Sequence, residues 1–317
     1  MNKYISLIFL VFCSCQMGEI PVPPHNSGNV ITDQISLQSD YRNQVFYNLE
    51  GSEEISQNIK DDWDLLFYFS SSGNKILLNS SSYMFAAEIN NLFEDQTDTL
   101  GLVFNSDNSN GDFNDLSINN VNSNQSYVID RGVDLNGNSR GLKKILIEIN
   151  ELDSISIKVS NLDNTDTQIF TINKNKNDNL ITFSFDTGII LPIFPENSSW
   201  DLLFTRYTYQ FPDSVTYLVT GVLTNYLNGV CVAIDTINEF SEINFDDISS
   251  YNLLTDQDVI GYDWKYYNFS NNTYTIVDNI VYIIKDVKGF YYKLKFIGFY
   301  NYDTGEKGFP QFEIQKL

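Results

Sequence analysis

Strand-like alternation dominates the chain. Ile155, Ile157 and Val159 alternate with Ser154, Ser156, Lys158 and Ser160. Ile145, Ile147 and Ile149 alternate with Lys144, Leu146 and Glu148, and Tyr292, Leu294 and Phe296 with Tyr291, Lys293, Lys295 and Ile297. A period of two written in β-branched and aromatic residues is the mark of a half-buried strand. Between these runs lie stretches rich in Asn, Asp, Ser and Gly, such as 106–115 and 134–141, whose residues tolerate turn conformations and cap their own backbone. No long run has helical spacing. The best helix candidate is the short, acid-led segment Asp246 to Leu254. The pattern predicts an all-β protein.

The pattern also repeats. Phe46, Gly51 and Trp63-Asp64-Leu65-Leu66-Phe67 recur as Phe183, Gly188 and Trp200-Asp201-Leu202-Leu203-Phe204, every pair 137 positions apart. Later parts match more loosely: Tyr127-Val128-Ile129 precedes a turn and 142–149, and Tyr282-Ile283-Ile284 precedes a turn and 291–299. Two related antiparallel β modules are expected, at 30–178 and 179–317. The alternative is a favourable buried strand written twice. In both cases Trp63 and Trp200 are packing residues whose N–H needs a partner once buried.

At the amino terminus, Lys3 precedes a short apolar run from Ile5 to Phe12, interrupted by Ser6. It is too short to span a bilayer and has the layout of a secretory signal peptide, residues 1–14. Ser14 directly before Cys15 resembles a bacterial lipobox, with Cys15 lipidated; an ordinary cleaved signal is the alternative. Lipid tails on Cys15 would hold the chain at a membrane. Residues 15–29, rich in proline and containing His25, form the expected tether.

Composition narrows the chemistry. The 317 residues carry 19 Lys and Arg against 41 Asp and Glu, a formal charge of −22, which argues against nucleic acid and anionic lipid as partners. Removal of 1–14 takes away only Lys3 and no acid, so the mature chain is one unit more negative. At 42% hydrophobic and 15% aromatic, the chain has ample material for a core. One histidine rules out a three-histidine zinc site and bis-histidine haem ligation, and its place at His25 in the expected tether argues against a Ser-His-Asp triad. Three cysteines, two of them at the extreme amino terminus, leave no disulfide framework. The runs at 107–112 and 134–138 resemble half of a calcium loop, but Ile118 stands where a bidentate Glu is needed; both read as solvated turns. Adjacent acids such as Asp61-Asp62 and Asp246-Asp247 read as solvated loop residues, and no phosphate-binding Gly-Lys-Ser/Thr loop is present. No enzyme activity is expected.

The second half carries a resemblance. Trp200 to Tyr207, Thr220 to Asn225, Ile260 to Trp264, Val281 to Lys285, Tyr292 to Phe296 and Lys307 to Phe312 follow one another as in the HmuY-type haem-binding lipoproteins of Gram-negative bacteria. The resemblance covers most of 183–317 and, through the repeat, extends to 46–172. It implies an all-β fold, a lipid anchor at the outer membrane, and capture of haem for an outer-membrane transporter. Family members ligate iron through paired histidine or methionine. This chain departs from that pattern, since its body has no His and Met84 is its only Met. The stretch after the second WDLLF offers Arg206, Tyr207, Tyr209, Tyr217 and Cys231 instead. A Tyr phenolate can ligate haem iron and an Arg can pair with a propionate. Tyr207, Tyr209, Tyr217 and Met84 are therefore the candidate ligands, with Arg206 as the propionate partner. Cys231, in an apolar strand context, reads as a buried inert thiol. The competing reading is a non-catalytic surface protein, binding glycans or proteins, that keeps the fold without the haem ligands; exposed aromatics in 262–269 would suit stacking on sugars.

Overall fold

A computed structural model describes residues 27–119, 121–151, 153–174, 179–212 and 215–317. The signal peptide, Cys15 and His25 lie outside them. The first half of the chain forms β1 (Ile31–Gln34), β2 (Asn43–Asn48), β3 (Glu53–Ile59), β4 (Leu65–Tyr68), β5 (Lys75–Leu78), β6 (Phe85–Glu88), β7 (Gln125–Asp130), β8 (Leu142–Glu151), β9 (Ser154–Ser160) and β10 (Gln168–Asn173). The second half forms β11 (Leu180–Ser184), β12 (Ile189–Leu191), β13 (Leu202–Gln210), β14 (Thr216–Thr224), β15 (Cys231–Asp235), β16 (Lys265–Asn268), β17 (Thr273–Ile276), β18 (Val281–Lys285), β19 (Tyr291–Tyr300) and β20 (Lys307–Lys316). The all-β expectation is met. The expected helix at 246–254 is a 3-10 turn over Phe245–Ser250, held at its start by Asp247 accepting from the Asn244 amide.

The strands form four stacked antiparallel sheets and a small ribbon. Their orders are β10-β9-β8-β7-β6, β12-β11-β4-β5, β14-β13-β2-β3 and β1-β20-β19-β18-β15, with β16-β17 apart. The first two sheets enclose one core, including Leu65, Phe67, Tyr127, Ile145, Ile147, Ile155, Ile157 and Phe183. The last two enclose a second, including Tyr47, Leu202, Phe204, Trp264, Leu294, Phe296 and Phe312. The two inner sheets meet back to back through Trp63, Leu66, Trp200, Leu203 and Tyr207. WDLLF is thus apolar at consecutive positions because both faces of its strand are covered: Leu65 and Leu202 face the cores, Leu66 and Leu203 the seam. Phe194 is wedged in that seam, its ring 5.9 Å from Trp63 and 6.0 Å from Trp200. Trp63 donates its N–H to Gln44, whereas the buried Trp200 N–H has no partner among the described residues.

Strands from 30–178 and 179–317 share sheets. β2 pairs with β13, β11 with β4, and β1 with β20. Each WDLLF strand is therefore completed by a strand from the other half of the chain. The surroundings of the two motifs correspond closely. Asn79 donates to the Lys60 and Trp63 carbonyls at 2.7 and 2.8 Å, and Asn225 donates to those of Asn197 and Trp200, both at 2.9 Å.

Two lysines break the alternation rule. Lys144 on β8 and Lys293 on β19 are buried on the outer faces of their sheets. Lys144 donates to the Phe93 and Gln96 carbonyls and to Asn164; Lys293 donates to the carbonyls of Phe240 and Ile243. Loops after β6 and β15 roof these ammonium groups and satisfy them.

Candidate functional site

The candidate ligands lie along the β13–β14 hairpin, where Tyr207 pairs with Val219, Tyr209 with Tyr217, and Gln210 with Thr216. Successive side chains alternate faces along a strand, so Tyr207 and Tyr209 share one face and Arg206 takes the other. Depth separates the two tyrosines. Tyr207 is fully buried in the seam, and its hydroxyl finds no hydrogen-bond partner among the described residues. Burial, reinforced by the Asp258 and Asp263 carboxylates, pushes its phenol far above the ordinary range. Tyr209 is half-buried, its ring 4.9 Å from those of both Phe211 and Tyr262. Tyr217 is 60% exposed and meets Phe211 edge-on at 6.1 Å. Phe211, Val215, Tyr217 and Val219 line an open apolar ledge of about 320 Å³.

The other candidates lie elsewhere. Arg206 is half-buried with its guanidinium 5.7 Å from the Tyr41 ring, and burial lowers its pKa while Tyr41 opposes that shift. Met84 is sealed in the first core at 1% exposure. Cys231 is half-buried at the edge of the last sheet, its thiol pushed up by burial. The structure thus pairs a half-buried Tyr209 with an exposed Tyr217, seals Tyr207 beneath the same face of the hairpin, and places Arg206 on the opposite face and Met84 in the first core. The expected stacking aromatics at 262–269 are in part exposed, with Tyr266, Tyr267 and Phe269 standing on the β16–β17 ribbon at 53%, 37% and 84%.

A larger feature adjoins the hairpin on its other face. A cleft of about 770 Å³ runs between the edge strand β6, the loop 101–119, and Gln210 and Thr216 of the hairpin. The loop is pinned to the sheet edge by a backbone bridge between Ala86 and Asn105, and the Tyr83 hydroxyl donates to the Thr216 carbonyl across the two halves. Reading the sequence as turns over 106–115 missed this cleft. The available signal was Leu102-Val103-Phe104, an apolar island inside a polar loop. Asp107 turns inward, accepting from the Leu78 amide and from Ser117, and Asp134 caps its own turn through Asn136 and Asn138. Among the described residues no group of three or more acidic, His or Cys side chains is placed to hold a metal ion.

As a test for haem, the ledge supplies an apolar floor and one lining phenol, Tyr217; Tyr209 pairs with it across the hairpin but is half-buried against the Phe211 and Tyr262 rings. Among the described residues no Lys, Arg or His lines either the ledge or the cleft. Tyr207 and Met84 offer no open donor atom.

The sequence model of the HmuY protein family matches residues 40–314, and the chain belongs to that family. No curated protein matches the chain. Among solved structures, it is similar to apo PinO from Porphyromonas gingivitis, with a TM-score of 0.36, 10% identity, and 91% of this chain and 98% of that one covered. It is also similar to the apo HmuY analogue TFO of Tannerella forsythia, with a TM-score of 0.34, 12% identity, and 92% and 98% covered. A third, from Bacteroides vulgatus and described as HmuY-like and heme-binding, gives a TM-score of 0.25 and 17% identity, with 42% and 82% covered. Family membership rests on the sequence match and not on these scores.

Proposed function

We propose that this protein is a non-catalytic capture lipoprotein of the cell envelope, anchored at the outer membrane through Cys15, and that its ligand is haem laid on the β13–β14 ledge. The observation that carries the reading is the pairing of Tyr209 with Tyr217 beside Phe211 and Val219. When bound, haem supplies a ferric centre with room for an oxygen ligand. Tyr217 and Tyr209 are the residues that would hold it, and Phe211, Val215 and Val219 would cover one face of the ring system. Membership in the HmuY family supports the ligand class. An outer-membrane transporter is the partner to which the ligand passes. The same reading takes the chain as two copies of one β unit, supported by the matched Asn79 and Asn225 bonds beside each WDLLF.

Haemin titration of the full-length protein tests this. A saturable Soret shift with a high-spin ferric spectrum is expected, and reduction weakens binding because an anionic oxygen ligand favours the higher iron charge. Absence of a saturable shift at micromolar protein refutes haem capture. A second reading then leads, favoured by the lack of any basic side chain in the ledge or cleft to meet the propionates: the fold is kept, haem ligation is lost, and the partner is a glycan or a protein.

A further inference from the structure

The 770 Å³ cleft lies within the volume range of small-ligand sites. Its lining is unusual for this chemistry in two ways. Among the described residues it contains no Lys, Arg or His, and half of its polar side chains are neutral amides. Asn90, Asn105 and Gln210 are exposed there and make no side-chain hydrogen bond among the described residues. A carboxamide offers both an acceptor oxygen and a donor NH₂, the pair that matches two adjacent hydroxyls. Phe85 and Phe104, both half-buried, add aromatic surface between them. The two carboxylates, Glu88 and Asp115, each accept one side-chain hydrogen bond, from Gln125 and Asn108. An ionised carboxylate has about four lone-pair sites, so both retain capacity for hydroxyl donors.

We infer that this cleft binds a neutral oligosaccharide: the amides of Asn90, Asn105 and Gln210 bond its hydroxyls, and Phe85 and Phe104 face its C–H surfaces. Anionic ligands are disfavoured by Glu88 and Asp115 and by the chain's formal charge of −22. The site is independent of the haem reading. Gln210 and Thr216 line the cleft while their strand neighbours Phe211 and Tyr217 line the ledge, so the two lie on opposite faces of the hairpin.

The Ala86–Asn105 backbone bridge holds the Asn105 side chain in place without depending on it, so side-chain substitutions there leave the loop anchored. Full-length protein in detergent is applied to an array of neutral, sialylated and sulfated glycans, and hits are measured by calorimetry. Saturable binding to neutral glycans is expected, reduced at least tenfold by Asn105→Ala combined with Asn90→Ala and by Phe104→Ala. Tyr302→Ala, exposed on the turn between β19 and β20 and outside the cleft lining, leaves it unchanged. Haemin binding by the Asn90/Asn105 variant stays at the wild-type level, which separates failure here from failure of the haem reading. The inference is overturned if no neutral glycan binds, if sulfated or sialylated glycans are preferred, if a polylysine peptide competes fully for the site, or if the cleft variants bind as wild type while retaining its melting temperature.

Discussion

The two WDLLF motifs carry the same aspartate into opposite electrostatic settings, and substituting each by asparagine separates them. Asp64 is fully buried beside two guanidiniums, with Arg131 Nε at 3.0 Å and Arg140 Nη2 at 3.1 Å, and it also accepts from the Phe185 amide. Asp186 shares both arginines from the half-open side. Asp201 is equally buried but meets only N–H groups, from Leu49 at 2.8 Å, Val287 at 3.0 Å and Asn48 at 3.4 Å. Removing one partner of a buried ion pair costs about 3–5 kcal/mol, because the remaining charge stays desolvated. Asp64→Asn leaves Asp186 alone to balance two arginines, so a loss of about 3 kcal/mol is expected. Asp201→Asn turns one acceptor into a donor against a backbone N–H, a penalty of about 1–3 kcal/mol, and at neutral pH it also removes a buried charge. The net loss there is about 1 kcal/mol. At roughly 2–4 °C per kcal/mol for chains of this size, calorimetry should show a fall of about 6–12 °C for Asp64→Asn and about 2–4 °C for Asp201→Asn. Burial pushes the Asp201 carboxyl above its ordinary value, with Asp286 adding to the shift. The folded state therefore holds this proton at a higher pH than the unfolded chain does. Stability from the neutral form is present below the unfolded pKa and lost as pH rises through the folded one. The gap between wild type and Asp201→Asn should thus narrow as pH rises above the ordinary carboxylate range. Equal losses at the two positions, or a gap that widens with pH, would refute this account.

The remaining predictions concern the anchor and a buried lysine. Labelled palmitate should enter the wild type and not Cys15→Ala; equal labelling of both would end the lipoprotein reading. Lys265 is buried with its ammonium 4.1 Å from the Trp264 ring and 4.8 Å from that of Phe299, donating to the Thr220 carbonyl, and burial pushes it down to about 7. The unfolded chain binds the proton more tightly, so stability should rise from about pH 7 to about pH 10, by about 3–5 kcal/mol relative to Lys265→Met. A pH-independent difference in urea midpoint between the two would contradict it.

The strands at 145–149, 155–159 and 292–296 were legible because their alternation is a local property of one face covered and one open. Lys144 and Lys293 were not. The rule places polar residues outward, and only loops distant in sequence, at 93–96 and 240–243, supply the carbonyls that bury them. The apolar run of WDLLF marked a buried strand, yet nothing local says that both its faces are covered, or that β4 pairs with β11 and β13 with β2. The spacing of Tyr207 and Tyr209 put both on one face of a strand. That one is sealed in the seam and the other lies near the surface depends on the neighbouring sheet, which no window of sequence contains. The cleft was hidden for a related reason, since it is built from a loop and two remote strand ends without periodicity.

Haemin titration of tyrosine variants tests the central claim most directly. Tyr217→Phe removes the oxygen that lines the ledge and Tyr209→Phe that of its cross-strand neighbour, both leaving the ring packing in place, whereas Tyr207→Phe removes a buried hydroxyl that has no partner among the described residues. The account predicts that the wild type binds haemin saturably, that the Tyr209/Tyr217 double variant loses the ferric high-spin spectrum while melting as wild type, and that Tyr207→Phe binds unchanged. Wild-type protein that gives no saturable Soret shift, or a double variant that keeps the spectrum, would contradict it.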